Sequence, residues 1–550
     1  MSLDPQASRD LLDKKIGHLR IQKALLQEQI RQLCEDRNGL SPVSRVPDEI
    51  LCEIFMLCAQ IWTERPNGPK PWIAVTHVSR RWRTVALNYP NFWSTIYDPD
   101  RMGPSWLSTW LKRSQETPLT IEIPDLYYTD RPRLPEVQAE LCRALSQTWR
   151  LREVDIAGRG DQIDVFLASM ASPAPLLKKL RIVNGSTHVI VFPETFLNGD
   201  ASNVQELIMF NCSLPRDPSV FMNVTELNLY YHTNAGPGAS IRESLPALGK
   251  LPSLSALTLE LPPTTFDSAM LVPLPQTIEL ASIAFLDVTA TESACTALLQ
   301  SIRIPCQGVD LRTHITDTMN ESSFAAYASA FSSVWLPPIA GSGRALLLNP
   351  PIVILQQGDY GDALFVKAHT EEDYFSLWLE DPDPIPTLST LFPDADTHSL
   401  VLRGKFPVEI NPFFDSFPKA EELDLRGQTD AISLLTYLEG DQALSARRTN
   451  QQQCHLTRLP CLTRIVVRNV DLGGEYANGV CIFDELLDVL EARARIVAQA
   501  GIQRIDFDWH CQSLDEPWMG RLREIVENVT VGEVEDCLYV DDESDDDDED

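Results

Sequence analysis

No stretch of this 550-residue chain reaches the roughly 18 consecutive apolar residues that a bilayer-spanning helix needs. Its opening residues, MSLDPQASRDLLDKK, lack the basic-then-apolar order of a secretory leader. A reducing compartment, the cytoplasm and/or the nucleus, is the expected location. Cysteine occurs at 12 positions but never as CxxC and never at a regular spacing, so buried free thiols are expected rather than a disulfide framework or a zinc site. The sequons Asn184-Gly185-Ser186 and Asn223-Val224-Thr225 carry no weight without a secretory route. Positive charge is the scarcest feature: 46 Lys and Arg face 78 Asp and Glu, a net charge of −32. Such a surface repels phosphate backbones and anionic lipid headgroups, which leaves no nucleic acid and no membrane among the expected partners.

Signatures of catalysis are scarce as well. There is no Gly-rich phosphate loop, HExxH or GxSxG, and even the two closest of the nine His, His369 and His398, are too far apart in sequence to share a helix face. No enzymatic activity, cofactor or metal is expected. The nearest cluster is Asp506, Asp508, His510 and Cys511; alternation puts part of it on one strand face, and a solvated strand end is the plainer account of it.

What the chain does have is core-forming material and length. Hydrophobic residues make up 44% and charged residues 23%, with 11 Trp and 20 Phe, an ordinary globular composition. A chain this long predicts several domains, or a small module joined to a repeat array. Nine acidic groups lie in the last ten residues, DDESDDDDED, so residues 531–550 are expected to be a disordered acidic tail in which Ser544 suits acidophilic kinases. At the other end, Leu12, Ile16, Leu19, Lys23, Leu26, Ile30 and Leu33 alternate by four and three, the seam of a heptad helix that Asn38-Gly39 closes. Such a seam suits a short coiled coil between two copies or a helix packed on its own chain. With Lys23 on the seam and only about four heptads, packing within the chain is the expectation for residues 1–40.

Residues 41–100 read as a small helical module. Pro47 suits a first helical position, Asp48 and Glu49 complement the positive helix end, and Ile50, Leu51, Ile54 and Phe55 form an apolar face. A loop, Arg65-Pro66-Asn67-Gly68-Pro69-Lys70-Pro71, leads to a second helix carrying Val75, Val78, Trp82 and Val85, which Pro90 stops before Asn91-Phe92-Trp93. So short a module cannot bury this many large side chains alone, so part of the face is expected to meet a partner.

From 101 to 530 a pattern of apolar-x-x-apolar-x-apolar recurs eleven times, for example Leu177-Leu180-Ile182, Val204-Leu207-Met209, Leu280-Ile283-Phe285, Cys306-Val309-Leu311 and Ile502-Ile505-Phe507. The starts lie roughly 20 to 30 residues apart up to residue 306, the period of leucine-rich repeats, and Cys212 falls where such repeats place Asn or Cys. Intervening stretches such as 164–168 and 485–490 read as helices. Strand plus helix per unit predicts an irregular α/β solenoid with a parallel sheet presenting a broad surface to a protein ligand. Residues 312–396 fit the pattern poorly. The expected fold class is therefore α+β and multidomain: an all-α module, then the repeats, then the tail.

Residues 46–93 closely resemble the F-box family, whose members run Leu-Pro-x-Glu-Ile-Leu-x-x-Ile-Phe, then Val-x-Arg-x-Trp-Arg, then a Trp. This chain has Val46-Pro47-Asp48-Glu49-Ile50-Leu51-Cys52-Glu53-Ile54-Phe55, Val78-Ser79-Arg80-Arg81-Trp82-Arg83 and Trp93. The departures are Val46 in place of Leu and a long loop from Ile61 to Pro71. A heptad helix before the box and leucine-rich repeats behind it resemble the large fungal F-box families. The resemblance implies a non-catalytic subunit of a Skp-cullin-F-box (SCF) ubiquitin ligase. The box would bind a Skp-type adaptor and, through it, cullin, while the repeats hold a protein substrate. Pro47, Ile50, Leu51, Ile54, Phe55, Val78, Trp82 and Trp93 would form the adaptor-facing surface and its supporting core. A scaffold that binds the adaptor without driving ubiquitin transfer is the alternative.

Overall fold

The computed structural model describes residues 5–63, 71–99, 103–123, 135–186, 189–193, 195–215, 218–231, 241–261, 277–305, 307–317, 321–335, 352–357, 363–369, 374–380, 391, 397–403, 414, 417–426, 438, 459–474, 481–496 and 501–532. The chain divides into two units, residues 1–124 with 131–154, and residues 125–130 with 155–550. The boundary expected at residue 100 falls inside the first. The acidic tail, most of the 61–71 loop and Cys306 lie outside the described residues.

The first unit begins with α1 (Pro5–Gly39), 35 residues long. Its heptad seam was expected to pack on the chain, but among the described residues nothing covers it: Leu12, Ile16, Leu19, Leu26, Ile30 and Leu33 are all exposed. The module that follows is α2 (Asp48–Thr63), α3 (Val75–Val78) and α4 (Arg80–Asn88). Helix α2 starts one residue later than expected, so Pro47 stands just before its first residue and contributes a carbonyl that accepts from the Leu51 amide at 3.1 Å. The second expected helix is split in two at Ser79, whose backbone is extended (φ −152°, ψ 165°). Its hydroxyl accepts from the Trp82 amide at 3.1 Å and caps α4, the alternative to helix that serine offers a backbone. Beyond Pro90, β1 (Thr95–Tyr97) pairs in parallel with β2 (Leu119–Ile123), with helix Pro104–Arg113 between them. Helix Pro135–Leu145 follows, and β3 (Leu151–Gly158) leads into the second unit.

The second unit is mixed α/β around a large, mainly parallel sheet. Its strands are β4 (Lys179–Asn184), β5 (Ile190–Val191), β6 (Glu206–Phe210), β7 (Cys212–Ser213), β8 (Glu226–Tyr230), β9 (Ala256–Glu260), β10 (Ile278–Glu279) and β11 (Phe285–Ala290). They continue as β12 (Ile302–Arg303), β13 (Asp310–Ile315), β14 (Ile352–Gln357), β15 (Ala363–His369), β16 (Tyr374–Glu380), β17 (Ser399–Arg403), β18 (Glu422–Arg426), β19 (Arg464–Arg468), β20 (Arg504–Phe507) and β21 (Asn528–Val531). Short side ladders join β5 to β7 and β10 to β12. In the main ladder Leu180, Leu207, Leu227, Leu257, Leu286 and Leu311 stand in register across β4, β6, β8, β9, β11 and β13, and all are buried. This row is the repeated apolar knob of the sequence pattern.

Two copies of the pattern are out of register with their neighbours, by three residues at β11 and by two at β13. Leu286, not Ile283, pairs with Leu257, so the frame is Ile283-Leu286-Val288, and Leu311 takes the middle position of its copy rather than the last. Because side chains alternate with period 2, the three-residue slip at β11 puts Phe285 on the opposite face, beneath the Arg312 guanidinium at 5.1 Å, whereas the two-residue slip at β13 leaves Val309 and Leu311 both buried. The stretches 164–168 and 485–490 lie within helices Gly160–Ser169 and Ile482–Ile496. Residues 312–396 depart from the repeat because they hold helix Glu321–Ser333 and an antiparallel meander. Strand β16 joins β13 in parallel, β15 runs against β16 and β14, and β14 joins β17 in parallel, so the parallel ladder resumes on the far side.

Candidate protein-docking surfaces

The eight residues singled out in the helical module separate into a core and a surface. Leu51, Phe55 and Trp93 are buried, while Ile50 (44% exposed), Ile54 (38%) and Val78 (57%) are not, and Pro47 is exposed at the entry to α2. Trp82 is half-buried, its ring 5.2 Å from Phe55, which lies 6.0 Å from Phe92. Trp93 sits deepest: its indole donates to the Ala86 carbonyl at 2.8 Å, and its ring meets Trp110 edge-on at 4.7 Å and the Arg113 guanidinium at 4.5 Å. It therefore fastens the module to helix Pro104–Arg113. Ile50 and Ile54 are one turn apart on α2, and Leu57, 58% exposed, continues the same face. Leu57 was missed from sequence, although its position three residues after Ile54 signals it.

Arg81 gives this strip its rigid base. Its guanidinium donates to the Asp48 carboxylate at 2.6 Å and to the Ser44 and Val46 carbonyls, tying α4 to the entry of α2. The i+7 row of Ile50, Ile54 and Leu57 is thus carried on a helix whose start is fixed by hydrogen bonds and whose inner face packs on aromatic rings. An exposed apolar row on a fixed helix suits contact with another protein.

The second unit offers a different surface, the strand face opposite the buried leucine row. On it Phe210 stacks on Tyr230 at 4.2 Å, with Arg181 5.5 Å from the Phe210 ring. Around the rings stand Glu226, Glu260 and Asp287, while Lys179–Glu206 (2.5 Å), Arg181–Asp155 (2.9 Å) and Arg312–Asp310 (2.9 Å) form ion pairs. Burial raises the Tyr230 hydroxyl above its usual range, and Glu260, Asp287 and Glu226 add to it. Burial also raises Asp287, with Arg312 opposing and Asp310 and Glu260 reinforcing. The face combines aromatic surface with net negative charge.

At the C-terminal end the same face is neutralised by itself. Arg464 bridges Glu422 and Asp506 at 2.7 Å each, Arg504 reaches Asp506 at 2.9 Å, and Arg468 holds the buried Asp424 at 3.1 Å. Burial pushes Asp506 up, but hydrogen bonds from Thr530, Arg504 and Arg464 outweigh it and hold the carboxyl below its usual range. The solvated strand end expected here is corrected for Asp506, which is 1% exposed in its side chain. Asp508 accepts from the Asn469, His510 and Cys511 amides at 3.0–3.1 Å and closes a turn, while His510 is exposed and burial raises the Cys511 thiol to about 11. Among the described residues no group of three or more His, Cys, Asp and Glu could hold a metal ion. No described helix is long and apolar enough to cross a membrane.

Cys212, placed by the repeat pattern, is buried, and burial raises its thiol; its sulfur lies 3.2 Å from the Phe210 carbonyl. The stronger backbone brace is one that sequence reading missed. The side chains of Asn184 and Asn211 each donate to the other's main-chain carbonyl, at 2.9 and 3.0 Å, across the ends of β4 and β6. No protein family, no curated protein and no solved structure matches the chain.

Proposed function

We propose that the chain is the substrate-recognition subunit of a Skp-cullin-F-box ubiquitin ligase, with the Skp-type adaptor on the helical module and a protein substrate on the sheet face of the second unit. The observation that carries this reading is the division of the F-box-like residues. Leu51, Phe55 and Trp93 satisfy a core, and Ile50, Ile54, Leu57 and Val78 are left in solvent, which a single folded module gains nothing by exposing. No chemistry is asked of the chain itself. Holding a substrate lysine near an activated ubiquitin raises its effective concentration, and that proximity is the subunit's contribution to rate.

The test is capture of a Skp-type adaptor by the full chain and by Ile50→Asp with Ile54→Asp. Both positions are exposed, so the double variant keeps its fold, and adaptor affinity is expected to fall at least about 100-fold, the scale of two interface anchors. A folded double variant with undiminished affinity, or a wild-type chain that takes up no adaptor, overturns the reading. Cullin retained with the adaptor distinguishes a ligase subunit from a scaffold.

A further inference from the structure

We infer that α1 forms an antiparallel two-stranded coiled coil with α1 of a second copy of this chain, making the protein a dimer. This rests on observations separate from the adaptor reading. The six apolar seam residues Leu12, Ile16, Leu19, Leu26, Ile30 and Leu33 are between 45 and 68% exposed. Assigning Ile16 and Ile30 to position a places Leu12, Leu19, Leu26 and Leu33 at position d, a continuous a/d seam of the kind along which two helices supercoil. The remaining a positions are Arg9, Lys23 and Arg37. A polar residue at such positions fixes register and partner number at some cost in stability.

The helix is held to its own module by the face opposite the seam. Glu28 and Glu35 lie on that outer face, bound by Arg31, and Glu35 also meets Arg80 of α4 at 2.7 Å. The contact that orients α1 therefore leaves the a/d seam pointing away from the module. Helices stay formed mainly by packing an apolar stripe, and here the stripe has no cover within the described chain.

Charge decides the orientation. A parallel pair would set Arg9, Lys23 and Arg37 each against itself and Lys15 against Arg20, every one a like-charge contact. An antiparallel pair centred between Lys23 and Leu26 sets Lys23 against Leu26, Leu19 against Ile30, Ile16 against Leu33 and Leu12 against Arg37. It also brings Lys15 beside Asp36 of the second copy, twice by symmetry. The cations then lay their methylene stems along leucine and keep their charges at the edge.

The test uses the full-length chain. Sedimentation velocity across the micromolar range is expected to give twice the 61.7 kDa chain mass. Leu19→Asp with Leu26→Asp should weaken the dimer at least about 100-fold, while Ile21→Asp with Leu25→Asp, exposed but off the seam, should leave it intact. No Trp lies in α1, so an unchanged near-ultraviolet spectrum shows that the rest of each variant is folded. For orientation, L12C with R37C should give a disulfide between the two substituted positions on oxidation, and L12C alone should not link to itself. The two positions lie about 37 Å apart on one helix, so that link forms only between chains. A monomer throughout the range, a dimer indifferent to the Leu19 and Leu26 changes, a trimer or tetramer, or self-linkage of L12C would each overturn the proposal.

Discussion

Neighbouring residues on α2 have opposite duties. Phe55 touches the rings of Trp82 and Phe92 and is sealed from solvent, whereas Ile54 beside it is 38% exposed. Phe55→Ala is therefore expected to cost about 3–5 kcal/mol, the price of a buried aromatic and its cavity, while Ile54→Asp should change stability by no more than about 0.5 kcal/mol. Urea unfolding with an unchanged slope checks both, and a small loss for Phe55→Ala would show that the core is misassigned. In the sequence these two residues belong to one apolar band with Ile50 and Leu51, because periodicity marks the band but not which edge of it other elements cover. That edge is set by Trp82, Phe92 and Trp93, which arrive from 27 or more positions further on. Arg81 was illegible for the same reason: its partners Ser44, Val46 and Asp48 are distant in sequence and two of them are backbone carbonyls.

At the scale of the strand, alternation carried most of the information. It identified the apolar rows and failed at β11 and β13, where Ile283 and Val309 offered a second apolar frame three and two residues away. Only pairing with Leu257 on the neighbouring strand resolves the choice. The antiparallel meander of β14–β16 was illegible because alternation marks a strand but not its direction, and direction is a property of connections. Charges on strands were equally hard to place. Asp506 read as the edge of a solvated end, yet β19 and β21 supply Arg464 and Thr530 to enclose it. Its carboxyl is held below the usual 3.8, so its contribution to stability is fully present above that value and is lost as pH falls through the lower folded-state value. Asp506→Asn should accordingly cost roughly 1–3 kcal/mol near neutral pH, since Arg464 and Arg504 keep some access to water once their partner is gone. The gap between wild type and variant should close below about pH 4 in acid titrations of stability. A gap independent of pH would mean that packing, not charge, is what Asp506 provides.

For the whole molecule, composition was the most legible layer and domain extent the least. The charge of −32 fits a chain whose sheet face carries Glu226, Glu260 and Asp287 around stacked rings, and on which Lys179, Arg181, Arg312 and Arg464 are each engaged with acids of the chain. The F-box-like motifs end at Trp93, which invites a boundary near residue 100, but the first unit runs on to Val154. The reason lies at Trp93 itself, which is 1% exposed because Trp110 and Arg113 cover it from helix Pro104–Arg113, while β1 pairs with β2 at residues 119–123. A fragment cut after residue 100 loses that helix and β2 together. It is expected to show a red-shifted Trp emission and a lower urea midpoint than a fragment cut after residue 158, which keeps the cover and the end of β3. Burial of an indole is worth several kcal/mol, so the difference should be readily measured, and the shorter fragment should hold an adaptor more weakly because the base beneath α2 has loosened. Equal midpoints for the two fragments would mean that the module is complete by residue 100 and that the Trp93–Trp110 contact adds nothing to its stability.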